Sequence, residues 1–209
     1  INSINQTAVS FTGTAEATST LFYTFYNVLA TTTQVTGTTT IDSLGNINSS
    51  LDLSSLSDGN ILGELFIVDA AGNTSSLVQL ILFKETTLPI VLEINPVTPS
   101  LTSTNTPAYT FSTTEDVAIS FTGGANCTSL TFPSMSAVVG TTTTNFNTIP
   151  DGSYACVLTV TDIYGNQGNA TMTPFTVDTV ALPPNVSFTN PINSINQTAV
   201  SFTGTAEAT

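Results

Sequence analysis

The sequence predicts an all-β chain: tandem β-sandwiches of about seven short strands each, set end to end. Three observations carry that expectation. Short β-rich or alternating segments run through all 209 residues, separated by Gly, Asn and Asp turn residues. No ten-residue stretch shows a 3.6-residue apolar period with caps at its ends. The chain also repeats itself: residues 192–209 are identical to residues 1–18 (INSINQTAVSFTGTAEAT), an offset of 191. Faithful repetition of that kind builds length or multivalency rather than one chemical site.

Module one covers residues 1–88. Its expected strands are residues 8–13, 20–28, 35–41, 47–53, 61–68 and 77–83. Module two covers residues 89–183, with strands expected at 90–94, 108–112, 117–122, 129–132, 141–146, 154–161 and 171–177. Residues 184–209 begin the next copy of module one. Turns are expected at Gly45-Asn46, Asp58-Gly59, Gly72-Asn73, Gly123-Gly124, Asp151-Gly152 and Gly165-Asn166. Prolines near residues 86–89 and 179–184 cannot donate ladder hydrogen bonds and mark the linkers. Strands of seven to nine residues give a module of roughly 40 Å and a period of roughly 80 Å. Module one is expected to lack its opening strand in this window, and residues 184–191 are the counterpart of that strand.

The two modules are diverged copies. Ser57-Asp58-Gly59-Asn60 matches Pro150-Asp151-Gly152-Ser153, and the segment 66–73, ending Asp69-Ala70-Ala71-Gly72-Asn73, matches 159–166, ending Asp162-Ile163-Tyr164-Gly165-Asn166. Both pairs lie at an offset of 93. This order resembles the bacterial Ig-like repeats of giant surface adhesins: Asp-Gly, an alternating strand, Asp-x-x-Gly-Asn, then Val-Asp-Thr before a proline. Module two carries it from Asp151 to Pro183. Module one has Phe83-Lys84-Glu85-Thr86-Thr87-Leu88-Pro89 in place of the Val-Asp-Thr ending. The resemblance implies an immunoglobulin-like fold and a stalk or spacer role on a microbial surface. It names no ligand.

Composition narrows the function classes. The chain has 14 acidic residues, one lysine, no arginine and no histidine, for a net charge of −13. Almost no cation is available to neutralise phosphates, which excludes nucleic acid and disfavours anionic membrane surfaces. No apolar run approaches the ~20 residues of a membrane-spanning helix, so no membrane insertion is expected in this segment. Solubility rests on 42 Thr, 22 Ser and 18 Asn. With no histidine a Ser-His-Asp triad is impossible, and with no tryptophan a sugar-cleaving cleft lacks its usual platform. An enzyme is not expected.

Cys127 and Cys156 are the only cysteines, both in module two. Too few ligands accompany them for zinc, so a disulfide is expected, formed in an oxidising compartment. The acidic turns are the other site-like feature. Asp58, Glu85, Asp162 and Asn166 would meet at the first module junction, and Asp151 and Asp178 would meet the next copy of Asp69 at the second. Clustered carboxylate and amide oxygens suit Ca2+; equally, Asp and Asn side chains satisfy turn backbone on their own. Calcium is the one cofactor considered, and none is required.

The functional expectation is a structural repeat of a long extracellular, cell-surface protein or filament, acting as a stalk or spacer in adhesion. Its partners are neighbouring Ig-like repeats of the same chain and copies associating laterally. The alternatives are a module binding glycan, ice or a protein partner, and a subunit that polymerises by strand donation. Consecutive threonines alternate faces in a strand and are expected to form no flat ladder. Lys84 at a strand end is expected to be solvated, an isopeptide bond being the lesser alternative.

Overall fold

The computed structural model describes residues 1–188 and 190–207. Module one has six strands: β1 (Val9–Thr14), β2 (Thr20–Asn27), β3 (Ala30–Thr40), β4 (Asn46–Leu51), β5 (Gly59–Val68) and β6 (Val78–Lys84). They form two antiparallel layers, β1-β4 and β3-β2-β5-β6. Two-residue periodicity puts Leu21 and Phe25 of β2 and Ile61 and Leu65 of β5 on one face, where they are buried with Ile47, Leu51, Leu53 and Leu56. Phe11 of β1 reaches into this layer and meets Phe25 edge to face, ring centroids 6.3 Å apart.

Lys84 is the surprise of module one. It is 2% exposed, and its Nζ donates to the carbonyls of Leu53, Ser54 and Leu56. Its counterpart at offset 93 is Val177, also inward-facing and buried. A buried ammonium survives only if its donors are used, and here three loop carbonyls use all three. The expected solvated lysine is therefore a core clamp, and its contacts are carbonyls rather than an isopeptide partner.

Module two has ten strands and one turn of helix: β7 (Val91–Asn95), β8 (Leu101–Thr102), β9 (Ala108–Thr113), β10 (Val117–Gly123), the 3-10 turn Cys127–Ser129, β11 (Ser136–Ala137), β12 (Gly140–Asn145), β13 (Gly152–Tyr154), β14 (Cys156–Thr161), β15 (Gln167–Thr171) and β16 (Phe175–Val177). Sheet β12-β9-β7 faces sheet β11-β10-β14-β15, and β8 runs parallel to β16 beside β13. Twenty buried residues form one continuous core, in which Phe132 stacks on Phe111 and meets Phe121 edge to face. Tyr154 donates its hydroxyl to the Pro150 carbonyl at 2.7 Å, two residues before Cys156, the corner expected of an immunoglobulin-like sandwich. Cys127 and Cys156 are joined, their Cα atoms 5.5 Å apart.

Three expected strands differ from the structure. Residues 129–132 do not join a ladder: the turn at Gly123-Gly124 and the tether to Cys156 put Cys127 in a 3-10 turn, and Leu130 and Phe132 are buried as loop residues. The strand expected at 154–161 breaks at Ala155, and that expected at 171–177 breaks before Phe175. The breaks face each other: Tyr154 pairs with Phe175 and Val157 with Thr171, so two residues oppose three. That is a bulge, with Pro174 placed where no N–H is needed and Glu93 accepting from the Thr173 N–H and hydroxyl.

The tail contributes β17 (Asn185–Phe188) and β18 (Phe202–Thr205), which pair with each other. Among the described residues, no helix is long and apolar enough to cross a membrane. Thr36, Thr38 and Thr40 of β3 alternate outward and exposed. On the neighbouring strand their partners are Thr24, Phe22 and Thr20, so Phe22, stacked on Phe66, interrupts the threonines.

Candidate functional site at the module junction

The pattern Asp-x-x-Gly-Asn makes one kind of turn three times. At Asp162, one carboxylate oxygen accepts the N–H groups of Tyr164 and Asn166 at 2.7 and 2.9 Å, and the other accepts from the Asn166 amide at 2.8 Å. Asp69 does the same with Ala71 and Asn73 at 2.9, 2.7 and 2.7 Å. Asp42, with Leu44 and Asn46, is a third example, at 2.9, 2.7 and 3.1 Å. The glycine of each turn has positive φ, +90° at Gly165, a region that side chains rarely enter.

What differs is the setting. Asn73 is exposed, whereas Asn166 is 0% exposed and Asp162 7% exposed. Module one covers them. The Asn166 amide donates to the backbone carbonyl and Oε2 of Glu85, and its Oδ1 accepts the Ser3 N–H at 2.7 Å. Asn2 donates its amide to the Tyr164 carbonyl at 2.8 Å, and Phe83 packs on the Tyr164 ring with centroids 5.2 Å apart. Asn166 thus bridges two carboxylates with its two N–H bonds while its oxygen holds module one.

The exits of the two modules are built alike. Thr86 donates its N–H and hydroxyl to Asp58, and Thr179 does the same to Asp151. Glu85 then accepts the N–H two residues ahead, from Thr87, as Asp178 does from Val180. Of the calcium candidates, Glu85, Asp162 and Asn166 converge; Asp58 is turned to its own linker, as is Asp151. Asp69 sits alone in an exposed turn, and Asp178 lies beside Thr179, Ala181 and Glu207 in a shallow surface hollow. Among the described residues, no three His, Cys, Asp or Glu side chains are grouped to hold a metal ion. Sequence reasoning missed Asn2, Ser3 and Tyr164, whose separations of 162 and 163 residues from their partners leave no local signal.

Electrostatics at the junction are one-sided. Burial opposes ionisation of Asp162, but hydrogen bonds from the side chain and backbone of Asn166 and from Tyr164 outweigh it, holding the carboxyl below its ordinary 3.8. Burial pushes the nearby Glu115 carboxyl up, and the negative Asp162 and Glu85 push it further.

Residues 97–179 match the family model described as a bacterial Ig-like domain. Module two is similar to a bacterial Ig-like domain. The match runs from just after β7 to just past Asp178, so it contains the entrance turn and the exit clamp of module two. No curated protein matches the chain. Among solved structures, a tetra-tandem repeat from the extending region of a large adhesion protein is 19% identical, covering 88% of this chain and 49% of its own, with a TM-score of 0.35. The chain thus spans about half the length of that structure. A structure from a 1.5-MDa bacterial ice-binding adhesin is 21% identical over 100% of this chain and 72% of its own, with a TM-score of 0.36. These superpositions are too loose to carry a function.

Proposed function

We propose that the chain is a serial unit of a long extracellular surface protein, a spacer whose Ig-like modules are held in fixed succession. The observation that supports this best is the junction, where Asn166 is wholly buried between modules and every polar group of its side chain is used. A flexible linker has no use for such a contact; an extended, oriented stalk does. Each module also carries the same entrance turn and exit clamp, so successive copies present one another with the same parts. Catalysis has no comparable support.

We further propose that the junction needs no cation, since the Asn166 amide already joins the Glu85 and Asp162 carboxylates. Small-angle scattering tests both proposals. Wild type should give a profile of two modules in fixed relation, unchanged by EDTA. Asn166→Ala should broaden the distribution of inter-module distances. A profile already fitted only by freely jointed modules in wild type would sink the spacer reading, and a loosening with EDTA would restore calcium at this junction.

A further inference from the structure

β3 and β11 hold the same place in corresponding sheets, because β3-β2-β5-β6 and β11-β10-β14-β15 run in the same order. Both are edge strands, and among the described residues no strand pairs with the outer side of either. An edge invites an added strand unless it is shortened, capped or charged. Module two is protected. β11 has only two residues, and just beyond it the Val139 N–H is taken by the Asp116 carboxylate at 2.9 Å. Module one is not. β3 runs eleven residues without a charge or a proline, well inside the chain between β2 and β4. Asp42 is the only charged residue from Ala17 to Leu51, in a chain of net charge −13.

The register on β2 identifies the free groups. It is unbroken from Gln34 to Thr40, and the Ile41 N–H continues it by donating to the Ser19 carbonyl at 2.9 Å. Residues of an antiparallel strand alternate between bonding to one neighbour and facing the other side. Val35, Gly37 and Thr39 therefore bond to β2, while Gln34, Thr36, Thr38 and Thr40 turn N–H and C=O outward.

This stretch is self-complementary about Gly37. Laid antiparallel on a second copy, it sets Gln34 opposite Thr40, Thr36 opposite Thr38 and Gly37 opposite Gly37. Every outward N–H and C=O of the stretch then has a partner, and any shift leaves some unpaired. Opposed residues share a face, so the exposed threonines of one copy adjoin those of the other, where hydroxyls can bond across strands. The two copies of Asp42 fall at opposite ends of the joint, so no acids face each other.

We propose that Gln34–Thr40 of β3 pairs with the same segment of a second copy of this chain, two-fold about Gly37, joining chains side by side. Under the serial-unit reading the joint recurs in every repeat, and weak pairings add. The test uses the whole 209-residue chain with Gln34→Cys and Thr40→Cys, oxidised mildly at rising protein concentration; the native Cys127–Cys156 bond stays in place. The new thiols lie roughly 20 Å apart on one strand, too far to bridge within a chain. Disulfide-linked dimers should appear on a non-reducing denaturing gel. Each single variant should link at least tenfold less, since neither position faces itself. Thr38→Pro removes an outward N–H that β2 does not use, and Thr38→Glu sets two carboxylates beside the two-fold axis. Each, added to the double variant, should cut linking at least tenfold while the melting temperature holds. No linked dimer, equal linking by the single variants, or linking indifferent to both changes at Thr38 overturns the proposal. Any of these would leave the scattering result at Asn166 untouched, so the two readings fail separately.

Discussion

Residues 1–16 and 192–207 are the same sequence in two settings, and the structure separates what the sequence does alone from what its surroundings do. The local turn is identical. The N–H of Gln6 donates to the Asn2 carbonyl at 3.1 Å, and that of Gln197 to Asn193 at 3.0 Å; Asn5 Oδ1 accepts the Asn2 N–H at 2.8 Å, and Asn196 Oδ1 the Asn193 N–H at 2.7 Å. Side chains diverge. Phe11 packs between Tyr23 and Phe25, whereas Phe202 is 69% exposed and, among the described residues, has only Phe188 as an aromatic neighbour, at 6.1 Å. Short polar side chains write the turn; burial is written by the rest of the module.

Phe11→Ala should break this comparison most. It removes a ring from the core and should cost about 2–3 kcal/mol in urea unfolding, whereas Phe202→Ala should stay within about 0.5 kcal/mol. Equal costs would mean the tail is as enclosed as module one. Next comes Asn166→Ala, which strips the first copy of its junction partner and leaves buried polar groups unpaired, at about 1–3 kcal/mol. Amide NMR signals of residues 2–5 should move toward those of residues 193–196, which should not shift themselves.

Acid should do the same by a gentler route. The folded Asp162 carboxyl sits below 3.8, so its contribution is full above the unfolded value and fades as pH falls through the folded one. Below about pH 4 the Ser3 amide signal should move and that of Ser194 should not. A Ser3 signal flat down to pH 2 would contradict the bridge. The smallest effect should be nearly shared: Asn5→Ala and Asn196→Ala each lose the turn bond accepted by Oδ1, worth about 0.5–1 kcal/mol, and Asn196→Ala also loses its exposed amide bond to the Pro191 carbonyl; a larger cost at Asn5 than at Asn196 would show that the turn is not local.

The same division explains what could be read from the sequence. Alternating strands such as β2 and β5 were legible because their inward residues are large and apolar. β15 (QGNAT) was not, because it is polar and half-exposed and takes its place only as the partner of β14. The offset of 93 paired Asp58 with Asp151 and Asp69 with Asp162, yet not their division of labour, since clamp and turn differ in partners far along the chain. Lys84 was misread because burial of a lysine depends on three loop carbonyls that no spacing announces. Ser3 was invisible for a related reason: it joins the junction through its backbone N–H, which every residue type except proline offers.

The disulfide of module two has a mechanical consequence. If a stalk is pulled from its ends, load passes through Cys127–Cys156 and bypasses the chain between them. The bond spans 29 residues, which at roughly 3.5 Å per extended residue withholds about 100 Å of contour length. Module one has no such latch, so its rupture would release its whole length. Single-molecule pulling should therefore show two unequal extension steps from one repeat, and a reductant should lengthen only the shorter step, making the redox state of the surroundings a control on how far the tether can stretch.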